Sequence, residues 1–273
     1  MNAITFLYEL AEVANLLSQG QSLLAEPSSN GVVLSTLVKM KGKNPYFIRA
    51  ETNGEVAGLN SVFGVSPADI KNVTNAPGMS RHQATAAFIG SSITVSDGSG
   101  NSYSVPLMSE DRARRSIEVR SVRDRAYEAS ATPSGSGAEK IAYWASQYDR
   151  CMVSPFVTRR GFFLRAIDAP YWHSHADVFF SQSHNGEIAR IGCWAYCVIP
   201  LKLCLKAWQT SSNMYIEFSD VGVMRIVLKT TSCTYRVCVP GERNVGSVWA
   251  PHRDDFLDEE TDAAMHHDWQ PPT

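Results

Sequence analysis

At 273 residues, with 44% apolar, 10% aromatic and 19% charged residues, the chain is long for one domain and suited to two of roughly 100 to 150 residues each. That apolar content excludes wholesale disorder. The net charge of −2 hides an asymmetry, because residues 252–273 hold seven acids against Arg253 and carry −6, which leaves +4 for the rest. A body so mildly basic is far from a histone-like charge, yet it admits a nucleic-acid partner.

The start, MNAITFLYELAEVANLL, carries Glu9 and Glu12 inside its apolar run and lacks the basic beginning of a signal peptide. No apolar stretch approaches the roughly 18 residues that cross a bilayer, so a soluble, cytoplasmic protein without a membrane partner is expected. Phe6, Leu10, Val13 and Leu17 predict one apolar stripe of a helix over about residues 4–24, with Glu9, Glu12, Asn15 and Gln19 turned elsewhere. After the Pro27–Gly31 breaker, GVVLSTLVKM, PYFIRAET and VAGLNSVFGV read as strands. Ser66-Pro67 is a helix start and opens PADIKNVTN. ATAAFIG, SSITVSD and NSYSVPL follow as strands, the last two joined through the hairpin signal Asp97-Gly98-Ser-Gly100.

Residues 109–137 change composition abruptly, with Arg112, Arg114, Arg115, Arg120, Arg123 and Arg125 among Glu110, Asp111, Glu118 and Asp124. The segment either tracks phosphates or forms an exposed salt-bridged stretch, and its end, Thr132-Pro-Ser-Gly-Ser-Gly137, reads as a flexible linker. The order then repeats. A helix AEKIAYWASQYDR precedes the strands MVSPFVT, FFLRAID, ADVFFSQ and IARIGCWAYCVI; Pro200 opens LKLCLKAWQ; and MYIEFSD, VMRIVLK and CTYRVCVP close the unit. The helix-opening proline precedes the closing one by 39 residues in the first half (Pro67 to Pro106) and by 40 in the second (Pro200 to Pro240). The expected boundaries are residues 1–108 and 138–245 for two domains, 109–137 for the connector and 246–273 for an acidic tail.

Six cysteines, Cys151, Cys193, Cys197, Cys204, Cys233 and Cys238, fall in the second half with no C-x-x-C pair. Reduced core thiols are expected, with disulfides as the alternative. No phosphate loop, nucleophile elbow, zincin helix or dinucleotide fingerprint occurs, so no enzyme and no cofactor are expected. One constellation offers metal chemistry: Trp172-His173-Ser-His175 with Asp177 and His184. Alternate histidines on an extended segment point the same way. This resembles the start of a cupin metal site, although the glutamate that should follow is absent; the other reading is histidines in an exposed loop.

The helices carry the clearer pattern. Leu201, Leu205 and Trp208 form an apolar stripe beside Lys202, Lys206 and Gln209. In the helix before it, Ile141, Trp144 and Tyr148 are expected inside, with Lys140, Gln147 and Arg150 outside. Lys71 is the cation of the first half's short helix.

This repeated order of helix, strands, short helix and closing hairpin resembles the domain of DNA sliding clamps. Residues 152–240, with Gly161-Phe-Phe-Leu-Arg-Ala-Ile-Asp168 and the lysine-bearing helix after Val198-Ile-Pro200, are most similar to the middle domain of the bacterial β clamp, and residues 31–107 match more loosely. The resemblance implies an α+β fold of two tandem β-rich clamp-like domains, each with sheets outside and two helices on one face. It also implies a homotrimeric ring of six domains, as in phage clamps, that encircles double-stranded DNA without base specificity and tethers a DNA polymerase after a clamp loader closes it. In that reading Lys71, Lys140, Arg150, Lys202 and Lys206 face phosphates. Two departures stand beside it: the first helix has no basic residue, and the connector is long and arginine-rich. The alternatives are a viral structural or assembly protein of β domains and a cupin-like metalloenzyme using His173 and His175.

Overall fold

The computed structural model describes residues 1–15, 22–40, 43–116, 127–148, 151–158, 160–168, 175–182, 184–186, 194–208 and 213–243. The chain divides into two compact units. Unit 1 comprises Met1–Val122 with Lys229–Val237, and unit 2 comprises Arg123–Leu228 with Cys238–Thr273.

Unit 1 begins with α1 (Ala3–Asn15), β1 (Leu23–Ser28), β2 (Gly31–Met40), β3 (Lys43–Thr52) and β4 (Phe63–Val65), and continues through α2 (Pro67–Thr74), β5 (Thr85–Ile89), β6 (Ser92–Ser96), β7 (Ser102–Met108) and α3 (Glu110–Ser116). Its strands lie in the order β3-β2-β1-β4-β7-β6-β5, all antiparallel. Local chemistry sets several of these elements. Ser66 caps α2 by accepting from the Asp69 amide, with Pro67 preset in the first turn. Strand β6 alternates, burying Ile93 and Val95 between half-exposed neighbours. At the β6–β7 turn the Asp97 carboxylate accepts from the amides of Ser99 and Asn101 and from Asn101 Nδ2 at 2.8–2.9 Å. These bonds, that from the Asn101 side chain above all, hold it below the usual carboxylate range.

Helices α1 and α2 pack on one another, α1 reaching β5 and α2 reaching β7. Phe88 of β5 joins them to the core, with ring centroids 6.2 Å from Phe6 and 5.8 Å from Phe63.

Four expectations for this half are corrected. The first helix is described over Ala3–Asn15, residues 16–21 lie outside the described residues, and Leu23 and Leu24, expected near its end, are instead buried in β1, paired with β2 and β4. Helical periodicity carries on through those leucines, but strand pairing on both sides claims them. Helix α1 is buried nearly all round, and Glu9, expected to be exposed, is among the buried residues. Of VAGLNSVFGV only Phe63–Val65 is a strand. The arginine-rich connector starts as α3, whose Ala113 is fully buried beside Leu24 and sits where a side chain on Gly64 would be, 2.5 Å from a Cβ built there.

Unit 2 contains β8 (Ala129–Ala131), α4 (Gly135–Gln147), β9 (Cys151–Thr158), β10 (Gly161–Asp168), β11 (His175–Ser181), β12 (His184–Gly186), β13 (Trp194–Cys197), α5 (Val198–Trp208), β14 (Asn213–Phe218), β15 (Val223–Lys229) and the end of β16 (Cys233–Arg243). Strands β11, β10, β9 and β13 pair in that order, and β13 pairs residues 241–243 of β16. The short strands β8 and β12 pair with each other, and β8 also pairs with β14. Phe162 anchors the core, 6.0 Å from Phe180 and 5.9 Å from Phe218. Helix α4 packs on α5 and across β9, β10 and β11.

The stretch read as a linker is the start of α4. Ser134 caps it by accepting from the Gly137 amide, and Gly137 is buried. A Cβ there would lie 2.8 Å from the carbonyl oxygens of Phe179 and Phe180, so glycine is what lets the helix approach β11. Helix α5 opens at Val198, two residues ahead of Pro200, and β16 runs past Pro240 to Arg243. Of IARIGCWAYCVI, Trp194–Cys197 is the strand, and residues 188–193 lie outside the described residues. Among the described residues no disulfide forms, and Cys151, Cys197, Cys204 and Cys233 are buried thiols. No described helix is long and apolar enough to cross a membrane.

Candidate nucleic-acid interface

Each unit presents one pair of packed helices, α1 with α2 and α4 with α5, and the two pairs differ in charge. Helices α1 and α2 carry Glu9, Glu12 and Asp69 against Lys71, a formal −2. Helices α4 and α5 carry Lys140, Lys202 and Lys206 against Glu139, a formal +2.

The unit 1 pair is organised around a buried acid. Glu9 accepts from Arg81 Nη2 at 3.1 Å and from the hydroxyls of Ser232 and Tyr235. Arg81 lies 5.9 Å over the Tyr8 ring, and its charge is therefore committed to α1. One turn on, partial burial and then the Glu9 charge push the Glu12 carboxyl above its ordinary value. A second polar tie joins Glu51 to Arg236 at 2.8 Å and to Arg49 at 2.7 Å. Burial acts to raise the Glu51 carboxyl, but the Arg236 bond and charge, helped by Arg49, outweigh it and hold the group low.

In unit 2, α4 turns its small residues inward. Gly137, Ala138 and Ile141 are buried, Trp144 and Tyr148 are half-exposed, and Tyr143 is 56% exposed. This corrects the expectation that Trp144 and Tyr148 join Ile141 in a buried stripe. Tyr143 meets Trp144 edge-on at 77° with centroids 5.3 Å apart, and Trp144 lies 5.3 Å from Tyr148. Lys140, Tyr143, Trp144 and Gln147 therefore form a single stripe at i, i+3, i+4, i+7. Its signal in the sequence is the run of glycine and alanine at 137, 138, 142 and 145, which leaves the bulky rings the outer face.

The sequence-predicted cations fall as follows. Lys71 is half-exposed on α2, Lys140 is exposed on α4, Lys202 is half-exposed on α5 with Leu201, Cys204 and Leu205 buried behind it, and Lys206 follows one turn later on α5. Arg150 lies outside the described residues. The structure thus places Lys140, Lys202 and Lys206 on the packed helices of unit 2 and Lys71 on those of unit 1. In the connector, Arg114 is salt-bridged at 2.8 Å to both Glu110 and Glu26, while residues 117–126 lie outside the described residues.

For the histidine constellation, His173 lies outside the described residues and His175 is the first residue of β11. His184 sits against the Phe162 ring at 6.4 Å. Both carboxylate oxygens of Asp177 are taken by Arg165, at 2.6 and 2.8 Å. Among the described residues no group of three potential ligands comes together.

No family model and no curated protein matches the sequence. Solved structures do match. Proliferating cell nuclear antigen (PCNA) from A. fulgidus, bound to the C-terminal region of FEN-1, has a TM-score of 0.64 at 14% identity, over 87% of this chain and 96% of that one. The chain has the sliding-clamp fold. The clamp from Entamoeba histolytica gives 0.62 at 8% identity and the PCNA2–PCNA3 complex from Sulfolobus tokodaii gives 0.63 at 11%, each over 88% of this chain and 96% of that chain. Agreement over nearly the whole of both chains shows the α+β architecture of tandem clamp-like domains. A cupin barrel has no place in it, and nothing in the fold favours a coat or scaffold protein.

Proposed function

We propose that the protein is a DNA sliding clamp, a ring that encircles duplex DNA and tethers a polymerase or other client to it. The observation that supports this reading most is the match to clamps over 87–88% of this chain combined with a packed helix pair in each unit. The clamps it resembles occur bound to a client in one case and as a complex of two different clamp chains in another. By the same likeness, three copies close head to tail, the sheets lie outside and the helix pairs line the hole. The task is topological, and no side chain is assigned a catalytic role.

Phosphate binding falls to Lys140, Lys202, Lys206 and Arg150, with Lys71 a lesser contributor on its acidic helix pair. So few cations suit sliding, since they hold the backbone without reading bases. A clamp loader and the cytoplasm complete the proposed setting, and a reducing compartment suits the buried thiols.

The test is retention on DNA by topology. The protein loaded on a nicked circle is expected to stay bound through a gel-filtration column and to be released when the circle is cut. Its mass in solution is expected to be about 90 kDa, three chains of 30.1 kDa. Equal retention on linear DNA, or a monomer at all concentrations, sinks the proposal.

A further inference from the structure

The α4 stripe is poorly suited to the phosphates of a duplex alone. Two of its four residues are aromatic: the Tyr143 ring is exposed, and the half-exposed Trp144 ring, set at 77° to it, lies beside an exposed lysine and an exposed glutamine. A duplex keeps its base faces stacked and out of reach, whereas unpaired bases offer faces on which an exposed ring gains about 1–3 kcal/mol per base. Lys140, one turn before Trp144, is placed to meet the adjoining phosphate, and Gln147, nearly one turn after it, can donate to or accept from a base edge.

A protein partner fits less well. The α4–α5 pair carries a formal +2, with Lys140 at the head of this stripe, a charge that suits a polyanion better than the lysine-depleted core of a protein interface.

We propose that Lys140, Tyr143, Trp144 and Gln147 form a stacking surface for the unpaired bases of single-stranded DNA, such as the template that adjoins a duplex at a primer end. The proposal rests on the clamp reading and deepens it: the unit 2 helix pair then distinguishes a primer junction from continuous duplex. A sliding ring would pause there through stacking on the rings, which salt weakens far less than it weakens phosphate binding.

The experiment uses the full-length protein and follows tryptophan fluorescence while a thymidine oligomer, a blunt duplex or a primer–template junction is added. The thymidine oligomer and the junction are expected to quench the signal, and Trp144→Phe is expected to remove most of that quenching. Tyr143→Ala and Trp144→Ala are each expected to weaken single-strand binding by about tenfold, which is about 1.4 kcal/mol, while retention on closed circular duplex changes by less than twofold. Tyr143 is largely exposed, so its loss leaves the fold standing. Retention on circles with no quenching by single strands overturns this inference alone. Loss of topological retention in the wild-type protein overturns the clamp reading instead. A change in oligomeric mass with either alanine variant, and none in DNA binding, shows the stripe to be a protein interface and overturns the proposal.

Discussion

Glu9 decides much of the order in unit 1, because a buried carboxylate with three donors is tolerable only while all three remain. Glu9→Ala strands the Tyr235 hydroxyl and Ser232 beside it, and a loss of about 3 kcal/mol is expected in urea unfolding. Arg81→Ala is expected to cost about 1–2 kcal/mol, because the carboxylate it leaves is only 4% exposed although Arg81 itself is 43% exposed. Glu51 adds a pH dependence whose sign follows from its lowered carboxyl. Its folded value lies below the unfolded one, so its contribution is complete above the unfolded value and fades as pH falls through the folded one. Glu51→Gln is therefore expected to cost about 0.5–1 kcal/mol at pH 7, after discounting for its exposure. That gap is expected to close below the carboxylate range, which urea titrations at the two pH values check. Burial, with the Glu9 charge nearby, pushes the Cys233 thiol up to about 12, so it is expected to resist alkylation at pH 8 until the protein unfolds.

At the scale of elements, α4 and its glycine carry the sharpest forecast. Gly137→Ala gains about 1 kcal/mol of helix propensity, but its methyl meets two carbonyl oxygens and a Cα of β11 that have no flexible side chain to move. Overpacking of about 2–3 kcal/mol wins, and a net loss of about 1–2 kcal/mol is expected by thermal or urea unfolding. On the same helix pair, Lys140→Ala with Lys202→Ala is expected to lower the salt slope of DNA binding by about one unit for each phosphate left without its lysine. Lys71→Ala is expected to change it little. Elements governed by neighbouring residues are readable in the sequence: the Ser66-Pro67 cap, the alternation of β6, the Asp97 turn and the lysine-bearing α5. What escapes depends on distant partners. Leu23 and Leu24 fit a helix or a strand until β2 and β4 claim them, β8 and β12 are three-residue strands made only by pairing, and α3 is hidden by its charge although Ala113 packs against Leu24 and Arg114 bridges to Glu26 of β1. The α4 stripe misleads because bulk suggests burial, whereas close approach to β11 requires the small residues inside.

For the whole molecule, the two-unit plan and the clamp likeness can be read from the repeated order of elements, but not the fact that unit 1 is discontinuous. Residues 229–237 bring Ser232 and Tyr235 to Glu9 and Arg236 to Glu51, and the Ser232 carbonyl accepts from the Asn53 amide at 2.8 Å. A fragment ending at Val122 lacks all of these groups. It is expected to show a broadened thermal transition and weak amide protection in α1 and β3, and a peptide of residues 229–237 is expected to restore part of both. Full protection in the fragment alone would show that the late segment is dispensable. The same arrangement constrains synthesis. As the chain leaves the ribosome, the first unit to emerge must wait, with the Glu9 carboxylate short of two donors, until all of Arg123–Leu228 has been made and the missing segment arrives. Folding from the N-terminus forward is thereby interrupted, and translation speed through the second half sets how long the unfinished unit is exposed to aggregation or to a chaperone.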